Sequence, residues 1–265
     1  MPYLLITNGP TGSGKSGLVR KTLDFYKLDP SYETFLIDDL IENNDFYKKQ
    51  IDNLIVQECK SRTLCPVLRE KMNNPDENLY KKFGDIYFKT RGKTGEKFCN
   101  NMTCDDLIDQ MLDDAINRKV NIVFETVGTY YISWLIDKIV GTYDVYYAFT
   151  VLDFCENVRR NKTRAASQMG DYVQDRRKPA PRLPNVEEKH FEMIVKDIGK
   201  NLWSLMGRKT FGDLDDVEHI IVFDNTGRDI NVLYESDRDS SQANLFAAIE
   251  KIKQTQRIRR CYMRS

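Results

Sequence analysis

Histidine is nearly missing from this chain. Its 265 residues include two, His190 and His219, too little material for a histidine metal cluster or for imidazole acid–base chemistry. Net charge is missing as well: 40 Lys and Arg balance 40 Asp and Glu, so no overall field draws the molecule to nucleic acid or a membrane. Any such attraction has to be local. No apolar run approaches the roughly 18 residues that a membrane span requires. The first apolar segment begins at Tyr3 and reads as a strand, so a soluble, cytoplasmic protein without a membrane partner is expected. The six cysteines (Cys59, Cys65, Cys99, Cys104, Cys155, Cys261) form no C-x-x-C pair and have no histidine at zinc spacing. In a reducing compartment they are expected to be free thiols. Asn-Lys-x-Asp, the base-reading signature of GTPases, is also absent, because Asn161-Lys162-Thr163 continues into Arg164.

What is present is a glycine-rich phosphate loop. Gly9-Pro10-Thr11-Gly12-Ser13-Gly14-Lys15-Ser16 fills every fixed position of G-x-x-x-x-G-K-[ST]. Tyr3-Leu4-Leu5-Ile6-Thr7 before it suits a buried strand, and Leu18, Val19, Thr22, Leu23 and Phe25 after it recur at helical spacing. Glycines let the backbone curl so that successive N–H groups point at a triphosphate, and the helix N-terminus adds partial positive charge. This pattern implies ATP and Mg²⁺ as cofactors, with Lys15 reaching the β- and γ-phosphates and Ser16 ligating the metal.

Strands and helices alternate along the rest of the chain, the sign of a mainly parallel sheet covered on both faces. The fold expected is α/β, a three-layer P-loop NTPase sandwich of the kinase-like kind, as one domain over 1–265. Thr34-Phe35-Leu36-Ile37 reads as a second strand ending at Asp38-Asp39, and Ile51, Leu54, Ile55 and Cys59 mark a helix. The segment 63–101 reads as a helical insertion beside the core, and Thr103 as the N-cap of the next helix. Val120 to Phe124 is a third strand ending at Glu125-Thr126, and Val145 to Leu152 a fourth. The region 153–184 reads as a helix entering a basic, proline-bearing lid, followed by a long helix from Asn185 to Met206. Two short strands, Ile220 to Phe223 and Val232 to Tyr234, flank a turn at Asn225-Thr226-Gly227, and a helix through Leu245, Ile249 and Ile252 closes the chain.

Ligands of open α/β sheets sit outside the carboxyl ends of strands, which singles out two acidic pairs. Asp38 ends an apolar run and is the first candidate to take a proton from an attacking hydroxyl or to help hold Mg²⁺; Asp39 is its rival. Glu125 could orient the metal or an acceptor hydroxyl, and Thr126 could bond a polar group of the substrate. Between Arg159 and Arg182, eight positive charges face two negative ones, a local excess of six. A guanidinium closing over the equatorial oxygens of a phosphoryl group would use such a segment.

Together these residues resemble the zeta-toxin-like group of P-loop kinases, related to chloramphenicol phosphotransferases and polynucleotide kinases. The resemblance rests on the phosphate loop, Asp38, Ile122-Val123-Phe124-Glu125-Thr126, the arginine-bearing lid helix, and Pro181-Arg182-Leu183-Pro184-Asn185-Val186. Phe223-Asp224-Asn225-Thr226-Gly227 with Leu233-Tyr234-Glu235 is similar to the family's closing hairpin. The resemblance implies a phosphotransferase with Asp38 as general base, Lys15 and Ser16 on Mg·ATP, and Glu125 and Thr126 on the acceptor. It also implies that Arg164 and Arg182 clamp the γ-phosphate, and that the acceptor is a small molecule such as a nucleotide sugar. Glu125-Thr126-Val127 replaces the Glu-Gly-Thr of the toxins and the lid is longer, which leaves the acceptor open. Nothing in the residues speaks for an inhibitory protein partner.

Two other readings stay beside this one. Lys81, Lys82, Phe83, Tyr87, Phe88, Lys89, Arg91 and Lys93 interleave rings with positive charge, as the strand-binding surface of a nucleic-acid 5′-hydroxyl kinase would, or as an amphipathic insertion packing its rings inward. A nucleotide-binding switch without an acceptor is the third reading.

Overall fold

A computed structural model of the chain describes residues 1–127, 133–139, 141–184, 188–211, 219–225 and 230–236, with positions 244, 247, 248, 250 and 251. The element order is β1 (Tyr3–Asn8), α1 (Lys15–Tyr26), β2 (Glu33–Phe35), α2 (Ile37–Asn43), α3 (Asp45–Cys59), α4 (Pro66–Asn73), α5 (Glu77–Arg91) and α6 (Cys104–Arg118). It continues through β3 (Ile122–Thr126), α7 (Ser133–Ile139), β4 (Asp144–Val151), α8 (Phe154–Gln174), α9 (Glu188–Phe211), β5 (His219–Asp224) and β6 (Asn231–Glu235). The chain falls into two compact units: Met1–Phe35 with Ala115–Val158 and Val186–Ser265, and Leu36–Asp114 with Arg159–Asn185.

The first unit holds a six-stranded sheet in the order β2-β3-β1-β4-β5-β6, parallel except for β6, which runs antiparallel to β5. This is the expected α/β arrangement of a P-loop NTPase-like fold. Because strand side chains alternate, Leu5, Val123, Ala148 and Ile221 share one face, where they pack with Leu18, Val19 and Leu23 of α1. Leu4, Ile6, Ile122, Tyr147 and Val222 lie on the other face and are equally buried. There Phe124 meets Trp134 of α7 edge to face. Burial on both faces explains why the strands read as continuous apolar runs. Phosphate-loop residues leave β1 at its carboxyl end, where β4 lies on one side and β3 on the other.

The second unit is helical. Its core is Ile41, Tyr47, Ile51, Leu54, Ile55, Leu68, Phe83, Met169 and Tyr172. Local sequence starts and stops its helices: Asn44 accepts from the N–H groups of Phe46 and Tyr47, Asp76 from Leu79, and Thr103 from Asp106. Gly92 ends α5 in the left-handed conformation, φ 89°.

Two expectations are corrected. Five cysteines are not free thiols: Cys59 pairs with Cys65, Cys99 pairs with Cys104, and Cys155 is also disulfide-bonded. Each of the first two bridges closes a short loop between elements, a proximity that spacing alone does not reveal. The second strand also stops at Phe35, and Ile37 begins a helix, so Asp38 and Asp39 occupy a first helical turn rather than a strand end. Ile37, Leu40 and Ile41 already carry helical spacing, and two acids in the first turn favour that end of the helix dipole. Thr226-Gly227, Val186 and the closing positions Leu245, Ile249 and Ile252 lie outside the described residues. Among the described residues no helix is long and apolar enough to cross a membrane.

Candidate active site

The phosphate loop in the first unit is shaped by its glycines. Gly12 and Gly14 stand at φ 82° and 83°, a region that side-chain-bearing residues rarely enter. A Cβ at Gly9 would collide with the Thr150 side chain and with Ser13 Oγ. Lys15 Nζ donates to the carbonyls of Gly9 and Pro10 at 3.1 and 3.2 Å. Gly9 N–H donates to the Thr126 carbonyl at 3.3 Å, tying the start of the loop to β3.

Register decides which acid meets the loop. Thr7 is level with Glu125, so Glu125 points to the α1 face of the sheet. There Ser16 Oγ, in the first turn of α1, donates to Glu125 Oε1 at 3.0 Å. Lys15, Ser16 and Glu125 are thereby drawn into one cluster. The described contact of Thr126 with the loop is made by its backbone. Two side chains to which the sequence assigns no part in the loop complete the cradle: Asn157 Nδ2 donates to the Thr11 carbonyl at 2.6 Å, and Asn225 Nδ2, from the expected turn, to the Ser13 carbonyl at 2.7 Å.

The second unit gathers charge instead. Arg182 is 8% exposed. Its Nη1 lies 2.7 Å from Asp38 Oδ1 and its Nε 3.2 Å from Glu42 Oε1. Tyr87 Oη donates to the same Asp38 oxygen at 2.7 Å, and Arg182 lies over the Tyr87 ring, 5.7 Å from its centre. Gln168 donates to the other oxygen of Glu42 at 3.3 Å, and the backbone of Ala180 to its carbonyl. Burial works against the Arg182 charge, but Asp38, Tyr87 and Glu42 outweigh it and hold its pKa above the ordinary value. Burial pushes Glu42 up, with Arg182 pulling the other way. Asp39 is exposed as a residue, yet partial desolvation of its carboxyl and the charge of Asp38 push it up, against Arg182 and Arg164.

Burial and pairing alter the reading of the basic segment. Arg176 pairs with Asp52 and covers the Tyr172 ring, Arg177 pairs with Asp175, Lys178 with Asp171, and Arg182 with two acids. Asp171 and Asp175 belong to the segment itself, and part of its remaining positive excess is met from outside it by Asp52, Asp38 and Glu42. The ring-and-lysine stretch on α5 is taken up similarly: Phe83 is buried, Lys82 pairs with Glu58, Arg91 and Lys93 with Asp105, and Tyr87 with Asp38. Glu42 was readable in principle, one helical turn after Asp38. Tyr87 was not, because its partner is 49 residues away.

Among the described residues no group of three or more His, Cys, Asp or Glu is placed to hold a metal ion. A magnesium ion on phosphates needs fewer protein ligands than that, since it keeps several waters.

The fold is similar to that of a solved chain from the PezAT chromosomal toxin–antitoxin system of the human pathogen Streptococcus pneumoniae. The TM-score is 0.50 at 10% sequence identity, over 97% of this chain and 87% of that one. At such identity the likeness speaks to fold alone. No protein-family model and no curated protein matches the sequence.

Proposed function

We propose that the protein is a zeta-toxin-like P-loop kinase that transfers the γ-phosphate of ATP to a hydroxyl of a small molecule, with nucleotide sugars as the leading acceptor class. One observation carries the reading: a phosphate loop with two of its three glycines, Gly12 and Gly14, at positive φ and Ser16 hydrogen-bonded to Glu125 on the neighbouring strand. The residues fit the cofactor. The cradle excludes a Cβ at Gly9, and the buried Ser13 hydroxyl has no partner among the described residues.

Bound there, ATP would supply the transferable phosphoryl group. The loop N–H groups and Lys15 would hold its β- and γ-phosphates, and Ser16, oriented by Glu125, would hold Mg²⁺. Asp38 is assigned the proton of the acceptor hydroxyl, since both its described donors meet one oxygen, Oδ1. Asp39 and Thr126 remain candidates for contact with the acceptor, and Arg164 for the charge on the transferred group. A neutralising protein partner belongs to the same proposal, supported by the toxin–antitoxin system of the similar chain. A cytoplasmic location would suit ATP chemistry, while disulfides persist in oxidising compartments. Alkylation of the cysteines at lysis, read by mass spectrometry, separates the two.

The test is transfer of labelled phosphate from ATP to a panel of nucleotide sugars, nucleosides and 5′-hydroxyl oligonucleotides. Labelled nucleotide sugar alone supports the proposal. Labelled oligonucleotide alone gives a nucleic-acid kinase, and ATP binding without transfer to any member gives a switch.

A further inference from the structure

Two buried asparagines grip the outer side of the phosphate loop, and nothing in the proposed chemistry yet uses them. Asn157 is 0% exposed and Asn225 5%. A buried amide group is costly unless bonded, so side chains of this type are held where their bonds are made. Asn157 stands in the first turn of α8, just after β4, and Asn225 directly follows β5. Those strands are the next two in order on one side of β1, whose carboxyl end carries the loop.

Peptide geometry converts their grip into a consequence for the ligand. In a trans peptide the C=O and the following N–H point in opposite directions. Holding the Thr11 carbonyl therefore fixes the direction of the Gly12 N–H, and holding the Ser13 carbonyl fixes that of Gly14. Neither of these N–H groups has a partner among the described residues. Gly12 and Gly14 are also the loop's two positive-φ positions, where the backbone is least restrained by its own sterics. The two freest peptides are thus the two held from outside.

We propose that Asn157 and Asn225 are positioning residues for the polyphosphate of the nucleotide, each orienting one loop N–H through the carbonyl of the same peptide. The proposal rests on the phosphate loop's being an ATP site. Asparagine suits the task because its amide donates without bringing charge. Aspartate in its place would set an anion against a carbonyl beside the phosphates.

The experiment measures binding, independent of any acceptor, using the full chain with Mg²⁺ and three probes: ATP, tripolyphosphate and adenosine. Asn157→Ala and Asn225→Ala should each raise the dissociation constants of ATP and tripolyphosphate about tenfold, the equivalent of one hydrogen bond. Asn225→Asp, which keeps the volume of the side chain, should raise them further, and adenosine affinity should stay at the wild-type level throughout. If a buried alanine prevents folding, Asn157→Ser and Asn225→Ser, which stay small and neutral but are too short to hold the carbonyl, carry the same comparison. Unchanged tripolyphosphate affinity in folded variants, or equal weakening of adenosine and tripolyphosphate, overturns the positioning role while leaving the kinase reading in place. Wild-type protein that binds neither ATP nor tripolyphosphate overturns both.

Discussion

The phosphate loop of the first unit and the Arg182 cluster of the second handle charge by opposite means. In the first, the phosphate loop is built of peptide groups steered by neutral asparagines, on a sheet whose strands are buried on both faces. Its one cation within the loop, Lys15, rests on the carbonyls of Gly9 and Pro10. In the second, Asp38, Glu42 and Arg182 are held together at 2.7 and 3.2 Å, with Glu42 and Arg182 buried and Asp38 partly exposed. The Lys15 charge should be removable without unmaking the fold. Charge in the Arg182 cluster is part of the fold, because removing one member leaves a buried partner uncompensated.

Lys15→Ala is the sharpest test of that contrast and should have the largest effect. Phosphoryl transfer should fall by about 10³ or more, as for loss of a preorganised charge at a developing anion. Stability should stay within about 0.5 kcal/mol of wild type, the usual range away from the core. Urea denaturation beside a turnover assay gives both numbers. A large loss of stability would break the comparison, and undiminished turnover would remove the kinase reading.

Asp38→Asn comes next. As general base, Asp38 should account for about 10² to 10⁴ in kcat, with ATP affinity retained. Asp39→Asn should change kcat much less, since the pair with Arg182 and Tyr87 is made by Asp38. A reversed order of effects transfers the role to Asp39. Equal small effects remove it from both.

The contrast between the units also explains what could be read in advance. The phosphate loop is eight consecutive residues, and its flanking strand and helix are local patterns, so the first site was legible with its fold. Glu125 was legible as a strand-end acid, but its bond to Ser16 spans 109 residues. Asn157 and Asn225 reach the loop across 146 and 212 residues, separations at which an asparagine carries no local signal. In the second unit, Leu36-Ile37 extends the apolar run of β2, so the sequence reads Asp38 as a strand end where the structure begins a helix. By its charge and its place in the basic segment, Arg182 reads as a lid residue. Glu42, 140 residues away, holds it inside the helical core.

Arg182→Ala tests the other half of the contrast. Stripping Asp38 and Glu42 of their shared cation should cost about 3–5 kcal/mol in stability, the range found for breaking a buried ion pair. Arg182→Lys should recover part of this, since an ammonium can reach one carboxylate but lacks the fork that spans two. Denaturant midpoints decide the matter. A loss as small as that of Lys15→Ala would mean that the cluster is solvated and that the loop and the cluster do not differ in kind.

Glu42→Gln should have the smallest effect, and its dependence on pH carries the information. Burial raises the Glu42 pKa above its usual 4.5, with Arg182 opposing. Arg182 lies closer to Asp38 than to Glu42, so its charge is secured chiefly by Asp38 and relieves Glu42 only in part. The folded chain then holds the Glu42 proton more tightly than the unfolded chain does. Stability tied to that preference is complete below about pH 4.5 and is lost as pH rises through the folded-state value. Glutamine keeps the shape and an oxygen for Arg182 Nε, but it binds no proton. Wild type should therefore lose its advantage over Glu42→Gln as pH climbs above 4.5, with a neutral-pH difference on the order of 1 kcal/mol. Urea midpoints for both proteins from pH 4 to 8 measure it. An advantage that grows with pH would show that Arg182 outweighs burial at Glu42, making the second unit's core an ion pair favoured in its charged form.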